Sequence, residues 1–97
     1  MYQIEFHIDA DEEMRAASRY YEERSRGLGD DFVDEIEQGL SRIQHFPMAW
    51  SIYEGEYRCY ILKRFPYGLI YRIESEKIFI VAVAHLYRKP GYWKDRQ

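Results

Sequence analysis

The chain has 97 residues and a formal net charge of -3, with 46% hydrophobic and 32% charged residues. A chain of this length can bury roughly two thirds of its unfolded surface, so residues 1–97 are predicted to form one domain. No apolar run approaches the roughly 20 residues that cross a bilayer, and the first residues do not resemble a secretory signal. These features predict a soluble, cytoplasmic protein without a membrane partner.

The charge is distributed unevenly along the chain. Residues 9–37 contain eleven acidic and four basic residues, whereas residues 56–97 contain nine basic and four acidic residues. This asymmetry is typical of an acidic helical surface beside a basic sheet, and equally of a basic surface that binds phosphates or an acidic partner.

Cys59 is the only cysteine, so no intrachain disulfide can form. Because it lies in a strand-like run, it is predicted to be a buried, reduced thiol. No cluster of Cys and His indicates a metal site, and no cofactor is expected.

The first half of the chain is predicted to form a strand and two helices. Tyr2–Phe6 alternates apolar and polar residues, as a half-buried strand does. Asp9 then begins a helix, and Glu12 three residues later completes a capping box. The loop 27–29 is rich in glycine and Pro47 ends the second helix, so the helices are predicted to form an antiparallel hairpin. Apolar residues recur at helical spacing in both helices: Ala10, Met14, Ala17 and Tyr21, then Phe32, Ile36, Leu40 and Ile43.

The second half is predicted to form three strands after an irregular connector, 48–55. From Tyr57 the apolar period is two, the segment 65–68 interrupts it, and Leu69–Glu74 resumes it. Lys77–Ala84 is almost continuously apolar, which indicates a central strand buried on both faces. Because the connections are short, the three strands are predicted to form an antiparallel meander. The predicted fold is α+β, with one antiparallel sheet and both helices on one face.

His85 directly follows the central strand, and its ordinary pKa suits a histidine for general acid–base catalysis. More commonly, a histidine at a strand end is satisfied by a backbone carbonyl. The acidic pairs Glu12–Glu13 and Asp34–Glu37 are assigned to helix surface. Basic and aromatic residues are interleaved in the second half, as in surfaces that bind phosphates and stack on bases: Arg58, Lys63, Arg64, Arg72, Arg88, Lys89, Lys94 and Arg96, with Tyr60, Tyr67, Tyr87, Tyr92 and Trp93.

Several short segments occur in a characteristic order: Tyr20-Tyr21-Glu22, Gly27-Leu28-Gly29-Asp30-Asp31-Phe32, Phe46-Pro47, Tyr57-Arg58, Arg64-Phe65-Pro66-Tyr67, Ile70-Tyr71 and Ala84-His85-Leu86-Tyr87-Arg88-Lys89-Pro90-Gly91-Tyr92-Trp93. Together they cover essentially the whole chain, and they resemble the RelE/ParE toxin superfamily of type II toxin–antitoxin systems. The resemblance implies the α+β fold predicted above. It also implies a cognate antitoxin, which wraps the toxin and neutralises it in a hetero-oligomer.

The resemblance implies one of two activities. RelE-like members are endoribonucleases that cut mRNA on the ribosome, with the 2′-hydroxyl attacking the adjacent phosphate, whereas ParE-like members inhibit DNA gyrase. Such a nuclease would be metal-independent. Its implied catalytic residues are Arg58, His85, Arg88 and Tyr92. The residues expected to bind a partner or nucleic acid are Arg64, Tyr67, Arg72 and Trp93.

Two positions depart from the nuclease pattern. Tyr60 stands where some RelE-like members have a lysine, and Gly68 stands where the nucleases usually have an arginine. Loss of one donor to a developing charge typically costs roughly 10²–10³ in rate. The segment Arg64–Tyr67 is also more typical of ParE-like sequences. These features favour a ParE-like gyrase inhibitor first, a ribosome-dependent ribonuclease second, and an inactive or weakly toxic antitoxin-binding member third.

Overall fold

The computed structural model describes residues 1–96, which form two helices and five strands. In chain order the elements are β1 Gln3–Phe6, α1 Ile8–Arg24, α2 Leu28–His45, β2 Ile52–Glu54, β3 Tyr57–Ile61, β4 Tyr67–Glu74 and β5 Lys77–His85. The strands form one sheet in the order β1-β5-β4-β3-β2. The α+β class, the helical hairpin and the antiparallel meander from β3 to β5 are confirmed. Neither of the two helices in this part of the chain is long and apolar enough to cross a membrane.

The direction of β1 differs from the prediction. It pairs in parallel with β5, with Gln3 opposite Lys77 and Phe6 opposite Ile80. The sheet is therefore mixed, and the prediction of an antiparallel sheet throughout was wrong at this edge. Alternation of apolar residues indicates which side chains are buried, but it carries no information on strand direction.

The predicted irregular connector contains the short strand β2. It pairs antiparallel with the start of β3, and its register shifts between Ile52 and Glu54. All residues of β2 are exposed. Because hydrophobic periodicity reflects burial, an exposed edge strand gives no such signal.

Helix α1 begins one residue before the predicted start, and its N-cap is His7. Nδ1 of His7 accepts a hydrogen bond from the N–H of Asp9 at 3.0 Å, which satisfies an amide that has no partner within the helix. Asp9 therefore lies in the first turn, where its charge suits the helix dipole. The predicted capping box is not formed, because the N-cap is His7 and not Asp9, and Glu12 forms an ion pair with Arg19.

The connection between the helices is tight. Gly27 has a φ of 86° and is the N-cap of α2, a left-handed conformation that glycine adopts without strain. The carboxylate of Glu22 accepts hydrogen bonds from the N–H groups of Gly27 and Gly29. A Cβ at Gly29 would lie 2.5 Å from the carbonyl oxygen of Ser18. The absence of a side chain at position 29 therefore allows α2 to approach α1 closely.

Apolar residues cover both faces of the sheet. The larger cluster lies between the sheet and the helices and includes Phe32, Ile36, Ile43, Leu69, Tyr71, Ile78 and Ile80. The smaller cluster lies on the opposite face and consists of Ile70, Phe79, Val81, Ala82, Ala84 and Trp93. Residues 86–96, here called the C-terminal tail, form turns and contribute Trp93 to the smaller cluster. The tail therefore covers part of the face that the helices leave free.

Candidate functional site

A groove of about 430 Å³ opens on the sheet face away from the helices. One side of this sheet groove is formed by residues 50–53, and the other by residues 85–93. Ile52 and Ile61 are 58% and 57% exposed, so apolar surface that is open to solvent continues into the groove. Its floor consists of Cys59, Ile61, Ile70 and Ala84. The volume and the apolar floor are those of a binding site.

The sheet groove contains positive charge without a compensating carboxylate. None of its lining residues is Asp or Glu, and Arg88 and Lys89 are exposed along the side formed by the tail. Within residues 1–96, neither of these side chains forms a salt bridge. The guanidinium of Arg88 lies 4.4 Å from the ring centroid of Tyr92. The groove therefore favours an anionic ligand that also has apolar groups.

Cys59 and Gly68 determine the shape of the groove floor. The thiol of Cys59 is only partly buried, in contrast to the buried thiol predicted, and burial raises its pKa to about 11. A Cβ at Gly68 would lie 2.7 Å from Sγ of Cys59 and 3.4 Å from Cδ2 of Leu86. Position 68 has no room for a side chain unless Cys59 moves. An arginine like that of the nucleases would require such a movement of Cys59.

Three of the predicted catalytic residues, His85, Arg88 and Tyr92, lie near one end of the sheet. The ring of His85 packs edge-on against Tyr67 with centroids 5.1 Å apart, and Nδ1 of His85 accepts the N–H of the residue two positions later. The hydroxyl of Tyr92 donates to Glu13 at 2.8 Å. Burial and this hydrogen bond raise the pKa of Tyr92. The hydroxyl is therefore held protonated, and its proton is directed at a carboxylate of α1.

Arg58, the fourth predicted catalytic residue, is remote from this end of the sheet. It lies opposite Tyr71 on β4, whereas His85 lies opposite Tyr67. Four residues of a strand correspond to about 13 Å, and two strand spacings add to this separation. The guanidinium of Arg58 donates at 2.7 and 3.3 Å to carbonyl oxygens of the segment 48–50. Arg58 therefore holds the chain that leads into β2.

Arg64 and Arg72, predicted to contact a partner, lie at separate places. Arg64 is exposed next to α2, where its guanidinium lies 3.5 Å from the carboxylate of Asp31. Arg72 donates to Glu74 and, at 3.1 Å, to the hydroxyl of Tyr57. Neither residue lines the sheet groove.

The aromatic residues predicted to contact a partner are enclosed to different degrees. Trp93 is 1% exposed and packs edge-on against Tyr57 with centroids 4.7 Å apart. Trp93 also lines the sheet groove, so its contact with a partner stays a prediction. Tyr67 is half-buried and packs against Tyr21 and Phe32.

Sequence reasoning overlooked Glu13, which was assigned to solvated helix surface. Its side chain is 15% exposed, and its carboxylate contacts the N–H of Val83 in β5 as well as the tail. Position 13 lies three residues after Ala10 and four before Ala17, both of which are buried. This spacing places Glu13 on the buried face of the helix. The burial of Glu13 could therefore have been predicted from the sequence.

Comparison with known proteins identifies the family. A family model described as the ParE toxin of type II toxin–antitoxin systems, parDE, matches residues 4–90. Among solved structures, the fold is similar to a chain of the chromosomal ParDE TA system from P. aeruginosa, with a TM-score of 0.75 and 16% sequence identity, covering 89% of this chain and 97% of that chain. No curated protein matches the chain. The match to the family model covers most of the chain, which therefore belongs to the ParE toxin family of type II toxin–antitoxin systems.

Proposed function

We propose that this protein inhibits bacterial growth by inhibiting DNA gyrase, and that a cognate antitoxin neutralises it. Membership of the ParE toxin family supports this choice over the ribonuclease activity of RelE-like toxins. Fold alone does not determine activity, so the main support comes from the positions of individual side chains.

The observation that carries the proposal is the separation of the groups that a ribonuclease would need. Cleavage by a 2′-hydroxyl requires a group that accepts its proton and cations that stabilise the phosphate, all around one scissile bond. Here Arg58 is about 13 Å along the strands from His85 and donates to two carbonyl oxygens. Gly68 cannot be replaced by a cation without displacing Cys59. The arrangement of these residues therefore supports inhibition by binding to the target and not by cleavage of RNA.

The sheet groove is the site that we assign to the antitoxin. Its apolar floor and the unpaired cations Arg88 and Lys89 suit a segment that combines apolar side chains with carboxylates. Nucleic acid fits less well, because two aromatic residues that line the groove, Tyr92 and Trp93, do not offer free faces for base stacking. Guanidinium groups of Arg88 and Arg96 lie 4.4 and 5.1 Å from the ring centroid of Tyr92, and Trp93 is buried.

A gyrase assay tests the proposed activity directly. Micromolar purified protein is expected to inhibit supercoiling of relaxed plasmid and to accumulate gyrase-cleaved linear DNA. Protein preincubated with the product of the adjacent antitoxin reading frame is the control, and it should leave supercoiling unchanged. Gyrase that remains fully active at micromolar protein would contradict the proposal.

A parallel assay tests the ribonuclease alternative. Primer extension on translating mRNA is expected to show no cuts that depend on the protein. Codon-positioned cuts that disappear in Arg88→Ala would replace the gyrase proposal with a ribonuclease that uses the cluster around His85. If gyrase and mRNA are both unaffected and cells that express the chain without antitoxin grow normally, the protein is an antitoxin-binding member without toxicity.

The groove assignment predicts which cations matter for antitoxin binding. The double substitution Arg88→Ala and Lys89→Ala removes both unpaired charges and should weaken antitoxin binding roughly tenfold or more, since charged contacts at an interface are typically worth about 1 kcal/mol or more each. Arg26→Ala with Lys63→Ala is the matched control, because it removes the same charge at exposed positions outside the groove. Isothermal titration calorimetry measures both. Equal weakening by the two variants would show that net charge, rather than the groove, governs binding.

A further inference from the structure

Glu13 accepts four hydrogen bonds from two different parts of the chain. Oε1 accepts from the N–H of Val83 at 2.9 Å and from Arg96 at 3.1 Å. Oε2 accepts from the hydroxyl of Tyr92 at 2.8 Å and from Arg96 at 2.9 Å. One carboxylate of α1 thus connects the edge of β5 with the tail.

The ion pair between Glu13 and Arg96 satisfies backbone groups at the edge of β5 that no neighbouring strand reaches. Strand β1 covers β5 only as far as Ile80, and the N–H of His7 makes the last backbone contact, to the carbonyl of Ile80 at 2.9 Å. The carbonyl of Val81 accepts from Arg96 at 3.0 Å, and the N–H of Val83 donates to Glu13. Two backbone groups that would otherwise lack a partner are therefore satisfied by side chains.

The tail has little backbone attachment of its own. The N–H of Leu86 donates to the carbonyl of Pro66, whereas the other backbone hydrogen bonds made by N–H groups of the tail stay within residues 85–96. Its position depends on side chains: Trp93 in the smaller core cluster, Lys94 paired with Glu54, and the contacts of Tyr92 and Arg96 with Glu13. The tail also forms one side of the sheet groove and bears both unpaired cations.

We infer that Glu13 is a positioning residue, which holds the tail in place and thereby sets the shape of the sheet groove and the location of Arg88 and Lys89. The effect of Glu13 on antitoxin binding rests on the proposed function, whereas its effect on the tail does not. Glu13 itself does not line the groove, so it acts only through Tyr92 and Arg96. The carboxylate is required because an amide presents a single oxygen and cannot accept the same four hydrogen bonds.

Hydrogen exchange measures the effect of Glu13 on the tail. In Glu13→Gln, the amide oxygen can still accept from Val83, while the NH₂ group faces the donors of the tail. Amides of residues 86–96 should exchange roughly 10- to 100-fold faster, corresponding to the loss of a charged hydrogen bond, whereas amides of α2 and β4 should keep their rates. Glu12→Gln is the matched control, because Glu12 is exposed and pairs only with Arg19. Unchanged exchange of the tail in Glu13→Gln would overturn the inference.

Antitoxin affinity measures the functional consequence. By isothermal titration calorimetry, Glu13→Gln should weaken antitoxin binding about tenfold or more, and Glu12→Gln should not. In the background of Arg96→Gln, the further change Glu13→Gln should have a smaller effect than in the wild type, because only the hydrogen bond from Tyr92 then connects Glu13 to the tail. Additive effects of the two substitutions would contradict a role through Arg96.

The hydrogen-exchange experiment and the functional measurement together distinguish failure of this inference from failure of the proposed function. A wild-type protein that binds no antitoxin removes the proposed groove assignment, while tail exchange still decides the role of Glu13 in holding the tail. Antitoxin affinity that is unchanged in Glu13→Gln despite a mobile tail would remove the positioning role and leave the proposed function intact. Far-UV circular dichroism of each variant identifies any general loss of folding.

Discussion

The thiol of Cys59 occupies the space beside position 68, where a Cβ would approach its Sγ to 2.7 Å. The sequence shows that Gly68 departs from the nuclease pattern, but not that a larger residue would require Cys59 to move. The cause is a contact between neighbouring strands, with Gly68 opposite Ile61 and Cys59 opposite Ile70. The candidate catalytic residues at positions 58, 85, 88 and 92 could likewise be identified from the sequence. The distance between Arg58 and the other three could not, because it depends on strand register.

The raised pKa of Cys59 predicts a loss of stability at alkaline pH. Burial raises the pKa of this thiol from 9.0 to about 11, so the unfolded state loses its proton first as the pH rises. The stabilisation is present below pH 9 and should decline by about 2 kcal/mol by about pH 11. Urea unfolding between pH 7 and pH 11 measures this decline. Cys59→Ala should show a shallower decline, because only other groups such as Tyr71, whose pKa burial raises to about 12, remain. Parallel curves for the two proteins would contradict the prediction.

Among the helices and strands, those that bury a regular apolar pattern were predicted from the sequence, and those that do not were missed. Helix α2 and strand β5 bury regular apolar patterns, Phe32 and Ile36 in one and Ile78–Val83 in the other, and both were predicted within a few residues. Strand β2 is exposed along its length and was not predicted. The near-complete burial of Trp93 was not predicted, because an isolated aromatic residue in a loop has no periodicity that reveals burial.

The close contact between the helices predicts that a methyl group added at position 29 lowers the stability of the protein. Gly29→Ala would place a Cβ 2.5 Å from the carbonyl oxygen of Ser18 and 3.0 Å from Cβ of Glu22. Overpacking of this kind typically costs about 1–3 kcal/mol, which exceeds the gain of up to about 1 kcal/mol from the higher helix propensity of alanine. The free energy of unfolding in urea should therefore fall by about 1–2 kcal/mol.

Gln38→Ala is the control for this substitution, because position 38 is exposed on the same helix. It should change the free energy of unfolding by less than about 0.5 kcal/mol. A stabilised Gly29→Ala variant would show that α1 and α2 can separate at little cost, contrary to the close contact described here.

Across the whole molecule, the acidic and basic residues separate in space as well as in sequence. The helices carry most of the carboxylates, while the groove is free of them and borders on Arg88 and Lys89. An acidic antitoxin segment is therefore attracted to one side of the molecule. Long-range attraction of this kind accelerates association and is screened by salt.

Salt dependence checks this attraction. Raising the salt concentration from about 50 mM to about 500 mM should slow antitoxin association roughly tenfold, with a smaller change in dissociation. Stopped-flow fluorescence or surface plasmon resonance measures both rates. The Arg88→Ala and Lys89→Ala variant should show a weaker dependence than the wild type. An association rate independent of salt would contradict steering by the basic side.

The parallel pairing of β1 with β5 has a consequence for synthesis on the ribosome. Gln3–Phe6 find their partners only in residues 77–80, and Glu13 finds Arg96 only at the far end of the described chain. A nascent chain that ends before β5 has made both helices, but it lacks the central strand on which they pack, and contacts of such sequence separation form late. Without β5, the apolar faces of the helices that form the larger core cluster would stay exposed to solvent. Folding of this domain is thus conditional on synthesis of the chain through β5.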